Sequence, residues 1–206
     1  MLKIWGRKTS SNVMKVVWAC EEMGVKYERV DIGGPFGGNR EASYLALNPN
    51  GLVPTIEDDG FVLWESNAIV RYLTAKHGAG TLWPTDLKLR ADADRWMDWV
   101  NAVATPPMSV MLLGYYRTPV EKRDPAALEA ARKKAIEAWS MADAALAKRP
   151  FLAGEALTIG DFAIGPHVHR WFLYPIERPN FPALAAYYPR LKTRPAYAEH
   201  IAFPIS

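Results

Sequence analysis

The hydrophobic pattern of this chain changes character once, and that change limits the architectures open to it. Through about residue 78, short apolar runs typical of strands alternate with apolar positions at helical spacing. Beyond residue 88 the pattern is helical or interrupted by proline. We therefore predict an α/β domain at 1–78, a linker at 79–88 and an all-α domain at 89–206. At 206 residues the chain is long enough for two compact units of this kind.

The first domain is predicted to follow the order βαβ-α-ββα. Strand candidates at 2–5 and 27–32 flank a helix that ends at Gly24, and such a crossover makes the two strands parallel. After a glycine-rich loop and a short helix near 41–47, Asp58-Asp59-Gly60 is typical of a hairpin turn, which makes the next two strands antiparallel. The result is a mixed four-stranded sheet flanked by helices.

Composition excludes several classes of function. The 25 basic and 22 acidic residues are interspersed and leave a net charge of +3, so no basic face is expected for nucleic acid. No apolar run approaches the length of about 18 residues needed for a membrane span, and the amino terminus lacks a secretory pattern. We expect a cytoplasmic protein that does not associate with membranes. The single cysteine, Cys20, argues against a disulfide, a Cys-x-x-Cys redox motif or a cysteine-based zinc site, and we expect no metal.

The beginning of the first helix carries three hydroxyl groups and an amide, on Thr9, Ser10, Ser11 and Asn12. The ordinary interpretation is that these side chains satisfy free N–H groups in the first helical turn. The functional interpretation uses the same geometry, since a helix amino terminus favours an anion and a hydroxyl can donate a hydrogen bond to a thiolate. Either interpretation fits the local sequence.

Two further motifs also have both an ordinary and a functional interpretation. Val53-Pro54 precedes a strand, and the proline is either an ordinary trans turn residue or a cis residue that leaves the Val53 backbone free for a ligand. Ser66, after Glu65, is either a helix cap or part of a turn that receives a ligand carboxylate while Glu65 takes an ammonium group.

Four segments together resemble the cytosolic glutathione transferase family, in its serine-type, theta- or beta-like bacterial form. They are TSSNVMKV at 9–16, NPNGLVPTIEDDG at 48–60, ESNAIVRYL at 65–73 and LTIGDF at 157–162, and the resemblance covers nearly the whole chain. It implies a thioredoxin-like first domain, glutathione as cosubstrate and a homodimer. The implied activity is conjugation of the glutathione thiolate to small apolar electrophiles, or reduction of organic hydroperoxides by the same thiolate.

The resemblance also implies roles for residues of the first domain. Ser11 would contact the sulfur, with Ser10 and Asn12 as alternatives, because a basic residue follows Ser11 four positions later as in the serine-type pattern. The cis Val53–Pro54 peptide would present the Val53 backbone to the cysteinyl part, and Glu65 and Ser66 would hold the γ-glutamyl end. Asn39 and Leu52 would lie near the glycyl carboxylate, Leu52 at a position that is often basic in related enzymes.

The second domain would supply the electrophile pocket. Candidate lining residues are Met108, Met111, Leu112, Tyr115 and Trp171, since methionine and aromatic side chains make adaptable apolar walls. The same spacing also suits an ordinary helical core. Thr158 and Asp161 match a capping motif of the family, and Asp94 or Asp98 would reach the glutathione of a partner subunit.

Two other functions remain open at this point. A glutathione-binding module without useful catalysis would keep the same fold. A thiol–disulfide oxidoreductase is disfavoured because no cysteine lies at the start of the first helix.

Overall fold

The computed structural model describes residues 1–205 and contains one mixed sheet of four strands. The strands are β1 (Leu2–Trp5), β2 (Tyr27–Val30), β3 (Thr55–Asp58) and β4 (Phe61–Trp64), in the spatial order β2-β1-β3-β4. β1 pairs with β2 in parallel and with β3 antiparallel, and β4 pairs antiparallel with β3. The predicted sheet is confirmed, although β2 ends two residues earlier than expected.

Three helices flank this sheet: α1 (Ser11–Glu22), α2 (Ala42–Leu45) and α3 (Ser66–His77). α2 is shorter than the predicted helix at 41–47, and the glycine-rich loop before it forms a 3₁₀ turn at Gly34–Phe36. Asp59 and Gly60 both have positive φ, 49° and 87°, as a tight two-residue hairpin requires. The turn expected between β3 and β4 is therefore present.

The rest of the chain is helical. Its helices are α4 (Leu87–Trp99), α5 (Thr105–Leu112), α6 (Pro125–Leu146), α7 (Ile159–Leu173), α8 (Pro182–Lys192) and α9 (Pro195–His200). Pro106 and Pro107 lie in the first turn of α5, where missing N–H groups are tolerated, and a π-helical turn at Val100–Ala104 joins α4 to α5. Within residues 1–205, no helix has both the length and the apolar character needed to cross a bilayer.

The two halves of the chain share one core. Trp18 of α1 is fully buried and packs edge-on against Phe162 of α7 and Tyr197 of α9, with ring centroids 4.6 and 4.9 Å apart. Cys20 lies on the same buried face, and burial raises the pKa of its thiol to about 12. A buried thiol with so high a pKa is a packing residue.

The capping motif of α7 is also confirmed. Thr158 precedes the helix, and its backbone N–H donates to Asp161 Oδ2 at 2.9 Å. Asp161 is fully buried and accepts three further hydrogen bonds, from Thr158 Oγ1, from the Leu152 N–H and from the Tyr187 hydroxyl. The carboxylate thereby connects α7 to the preceding loop and to α8.

Candidate functional site

The amino terminus of α1 presents hydroxyl groups that the protein itself leaves unused. Ser10 is the N-cap residue, but its side chain makes no capping hydrogen bond. Within residues 1–205, the side chains of Ser10, Ser11 and Asn12 make no intramolecular hydrogen bond. Ser10 is 9% exposed, whereas Ser11 and Asn12 are half-buried and therefore more accessible. The ordinary capping interpretation does not describe this turn.

The segment just before α1 is held from the second half of the chain. Arg170 of α7 is buried and donates from Nη2 to the Thr9 carbonyl at 2.9 Å. Burial lowers the pKa of its guanidinium to about 10. A buried arginine therefore fixes the backbone immediately before the serine pair.

The Val53–Pro54 peptide is cis, as the resemblance implies. The loop around it is rigid, because the Leu52 carbonyl accepts hydrogen bonds from the Tyr44 hydroxyl at 2.6 Å and from Asn48 Nδ2 at 2.9 Å. In the described part of the chain, the backbone N–H and C=O of Val53 have no hydrogen-bond partner. A peptide-like ligand could pair with both groups.

The two residues expected near a glycyl carboxylate have different surroundings. Asn39 donates from Nδ2 to the Gly51 carbonyl at 2.7 Å, so its amide already helps to hold the loop at 48–51. The Leu52 side chain is 60% exposed. Both residues border the loop that ends at Pro54, but neither presents a charge.

The start of α3 has the geometry of a binding turn. Glu65 has φ 73° and ψ 108°, a conformation that costs energy for a residue with a side chain. Its side chain is exposed. The next residue, Ser66, is 5% exposed, and its hydroxyl makes no intramolecular hydrogen bond within residues 1–205. This strained turn leaves a carboxylate and a hydroxyl available at the amino terminus of a helix.

A buried lysine lies beneath these two helix starts, and sequence analysis noted only its spacing from Ser11. Lys15 is fully buried, and its Nζ donates to Asn67 Oδ1 at 3.3 Å. Burial lowers the pKa of Lys15 to about 8, while the negative charge of Glu65 opposes that shift. The signal for this burial was present in the sequence, since Lys15 interrupts the apolar run Val13–Cys20.

Asn67 extends this network to the second half of the chain. Its Nδ2 donates to the Met97 carbonyl of α4 at 2.7 Å. One side chain thus links α1, α3 and α4 directly below the strained turn at Glu65.

The predicted apolar pocket is corrected by the structure. Met111 and Trp171 are fully buried, Met108 is 1% exposed and Leu112 is 8% exposed, so all four belong to the helical core. Only Tyr115 is half-buried. Met108, Met111 and Leu112 lie on a buried face of α5, which packs against α6 and α7.

The carboxylates expected to reach a partner subunit are engaged within the chain. Arg71 of α3 donates from Nε to Asp94 at 2.6 Å and from Nη2 to Asp98 at 2.7 Å. Asp98 remains 74% exposed on its side chain, so one of its oxygens is still open to solvent. The structure therefore assigns both residues a contact between α3 and α4.

Comparison with known proteins identifies the family. The model for the N-terminal domain of glutathione S-transferases matches residues 1–75, and a model for their C-terminal domain matches residues 125–190. The chain belongs to the glutathione S-transferase family. The predicted family and the thioredoxin-like fold of the first domain are thus confirmed.

Individual glutathione S-transferases are similar over the full chain. Glutathione S-transferase GstB of Escherichia coli (strain K12) is 41% identical, with 100% of both chains covered. The theta class glutathione S-transferase of Xanthomonas axonopodis pv. citri, solved with glutathione bound, superposes with a TM-score of 0.96 at 46% identity, covering 100% of this chain and 99% of that one. Its apo form gives a TM-score of 0.87 at 40% identity, with 100% and 98% covered.

Proposed function

We propose that this protein is a glutathione transferase that binds glutathione along the edge formed by α1, the Val53–Pro54 loop and α3. The observation that carries the proposal is that three sets of polar groups, none with a partner within residues 1–205, belong to adjoining segments. They are the hydroxyl groups of the first turn of α1, the backbone of Val53 and the Glu65–Ser66 turn. The protein acts in the cytoplasm as a homodimer, in keeping with its family.

Each set of groups suits one part of the tripeptide. The Val53 N–H and C=O pair with the backbone of the cysteinyl residue in the manner of a short strand. Ser66 and the amino terminus of α3 receive the γ-glutamyl carboxylate, and Glu65 receives its ammonium group. Asn39 and the exposed backbone near Leu52 then face the glycyl end.

Ser11 donates a hydrogen bond to the glutathione sulfur, with Ser10 and Asn12 as the alternatives. A free thiol with a pKa of about 8.5 is only about 3% ionised at pH 7, and lowering that pKa by roughly two units raises the thiolate fraction about 25-fold. The thiolate of a more acidic thiol is a weaker nucleophile, which lowers the rate roughly eight-fold. Because the net gain is only about three-fold, most of the acceleration comes from holding the electrophile beside the sulfur.

The proposed function is tested by calorimetric titration with glutathione and by turnover of 1-chloro-2,4-dinitrobenzene. We expect saturable binding and conjugation that depends on the enzyme. Absence of heat and of protection against unfolding at millimolar glutathione would contradict the proposal. Binding without turnover, across this and other electrophiles, would instead identify a glutathione-binding module.

Replacing Ser11 by alanine is expected to lower kcat at pH 7 by about three-fold and to leave the Kd of glutathione nearly unchanged. The pH at which half of the bound thiol is ionised, followed by thiolate absorbance, should rise by roughly two units. Ser10→Ala and Asn12→Ala are the matched comparisons. A normal pH profile for Ser11→Ala beside an altered profile for one of the others would move the role to that residue.

Replacing Ser66 by alanine is expected to weaken glutathione binding by about ten-fold or more, because a hydrogen bond to a charged carboxylate is lost. Calorimetry measures this change directly. Ser109→Ala, on an exposed face of α5, is the control and should bind glutathione like the parent protein. Equal Kd values for all three proteins would exclude Ser66 from the γ-glutamyl site.

A further inference from the structure

A small cavity beside the amino terminus of α1 is lined in part by arginine. Its volume is about 310 Å³, at the small end of the range for small-molecule sites. It is lined by Arg7, Thr9, Gly34, Pro35 and Arg117. The first four precede α1 or follow β2, whereas Arg117 ends the π-helical turn after α5, so the cavity spans the two halves of the chain.

Neither arginine of this cavity has a partner in the described part of the chain. The side chains of Arg7 and Arg117 form no ion pair and no hydrogen bond within residues 1–205. Arg7 is half-buried and Arg117 is exposed, whereas several half-buried arginines are paired, including Arg71 with two carboxylates and Arg194 with Glu22. Two unpaired arginines therefore line the same cavity.

The position of Arg7 is set by the glycine-rich loop. Gly34 has φ +60°, and a Cβ atom at this position would lie 2.9 Å from Cδ and Nε of Arg7. The Arg7 side chain thus lies directly on the backbone of Gly34, which holds its guanidinium against the cavity. A side chain at position 34 would displace it.

Three arginines around the cavity influence one another electrostatically. Burial lowers the pKa of Arg7, and the charge of Arg117 lowers it further. Arg170 donates to the Thr9 carbonyl next to the cavity. Its pKa is lowered mainly by burial and further by the charges of Arg117 and Arg7. Neighbouring positive charges repel one another when no carboxylate lies between them. A bound anion relieves this repulsion.

We propose that the electrophilic substrate of this enzyme is a small molecule with a carboxylate, which binds between Arg7 and Arg117 while its reactive carbon faces the glutathione sulfur. The inference rests on the proposed function and specifies its second substrate. It adds a carboxylate to the electrophile expected from sequence. In the reaction with an aryl chloride, the thiolate forms a carbon–sulfur bond, chloride leaves with the bonding electron pair, and the thiol proton has gone to solvent.

The test compares a matched pair of electrophiles, 4-chloro-3-nitrobenzoate and 4-chloro-3-nitrobenzamide, each corrected for its uncatalysed reaction with glutathione. The parent protein should favour the carboxylate in kcat/KM by about ten-fold or more, as a charge-assisted pair provides. Arg117→Gln and Arg7→Gln should each reduce this preference about ten-fold. Lys122→Gln, an exposed charge five residues from Arg117, should leave it unchanged.

A second measurement does not depend on turnover. The Kd values of S-(4-carboxybenzyl)glutathione and S-(4-carbamoylbenzyl)glutathione, measured by calorimetry, should show the same preference and the same loss in the two arginine variants. Equal affinity for both conjugates in the parent protein would overturn the inference while leaving the proposed function intact.

Two other results would also be decisive. If the arginine variants weaken binding of glutathione itself as much as binding of the carboxylated conjugate, the arginines hold the tripeptide's own carboxylate and the inference is overturned. If glutathione and both conjugates fail to bind at millimolar concentration, the proposed function fails together with it.

Discussion

Replacing Asp161 by alanine is expected to lower the free energy of unfolding by about 4 kcal/mol, because it breaks a fully buried hydrogen-bond network. Four donors would lose their acceptor together: two backbone N–H groups and the hydroxyls of Thr158 and Tyr187. Burial raises the pKa of Asp161, while these hydrogen bonds oppose that shift. Urea unfolding followed by tryptophan fluorescence measures the change.

The matched control for this variant is another helix cap. Asp86 caps α4 and accepts from the Leu89 N–H at 2.7 Å, but this cap is exposed to solvent. Asp86→Ala should therefore cost only about 1 kcal/mol. Similar losses for the two variants would mean that Asp161 acts as an ordinary cap and not as the centre of a buried network.

Replacing Lys15 by methionine is expected to stabilise the protein at pH 7 and to destabilise it near pH 10.5. With the pKa of Lys15 lowered from 10.5 to about 8, the buried charge costs about 3 kcal/mol at neutral pH. Methionine removes this cost but leaves Asn67 Oδ1 without its partner, which costs about 1 to 2 kcal/mol. The net gain at pH 7 is about 1 to 2 kcal/mol.

The pH dependence provides the sharper result. Below pH 8 the lysine is charged in the folded and unfolded states, so its full cost is present. Between pH 8 and 10.5 only the unfolded state keeps the proton, so the stability of the parent protein rises relative to that of the variant. Above pH 10.5 the parent protein no longer bears the cost of a buried charge, whereas the variant still lacks the hydrogen bond to Asn67. The two stability curves should therefore cross between pH 8 and 10.5.

The control for Lys15 is a lysine on the surface. Lys26 is exposed and forms no ion pair within residues 1–205, so Lys26→Met should change stability by only a small amount. Parallel curves for Lys15→Met and the parent protein would show that Lys15 does not carry a buried charge.

Features determined by neighbouring residues were predictable from sequence. The hairpin at Asp59–Gly60 requires two positive φ angles, and the Thr158–Asp161 cap requires a hydroxyl three residues before a carboxylate. Both signals lie within a few residues of the structure that they specify. The parallel pairing of β1 and β2 was equally accessible, because crossover geometry restricts it.

Features created by distant segments were not predictable. Helical spacing showed that Met111 and Trp171 face inward, but it does not distinguish a face covered by other helices from one that borders a cleft. Arg7 and Arg117 are 110 positions apart, and no local sequence pattern around either residue indicates that they line the same cavity. The positive charge of the cavity therefore could be recognised only from the folded structure and not from the sequence.

The hydrogen bond from Arg170 to the Thr9 carbonyl limits how this chain can be recombined with its relatives. Thr9 and Arg170 are 161 positions apart, so the conformation of the turn just before α1 depends partly on the carboxyl-terminal half. A chimera that joined residues 1–78 to the helices of another relative would keep the serines yet lose this support, unless the donor supplied an equivalent arginine. The amino-terminal half of this chain would therefore need a carboxyl-terminal half that carries such an arginine.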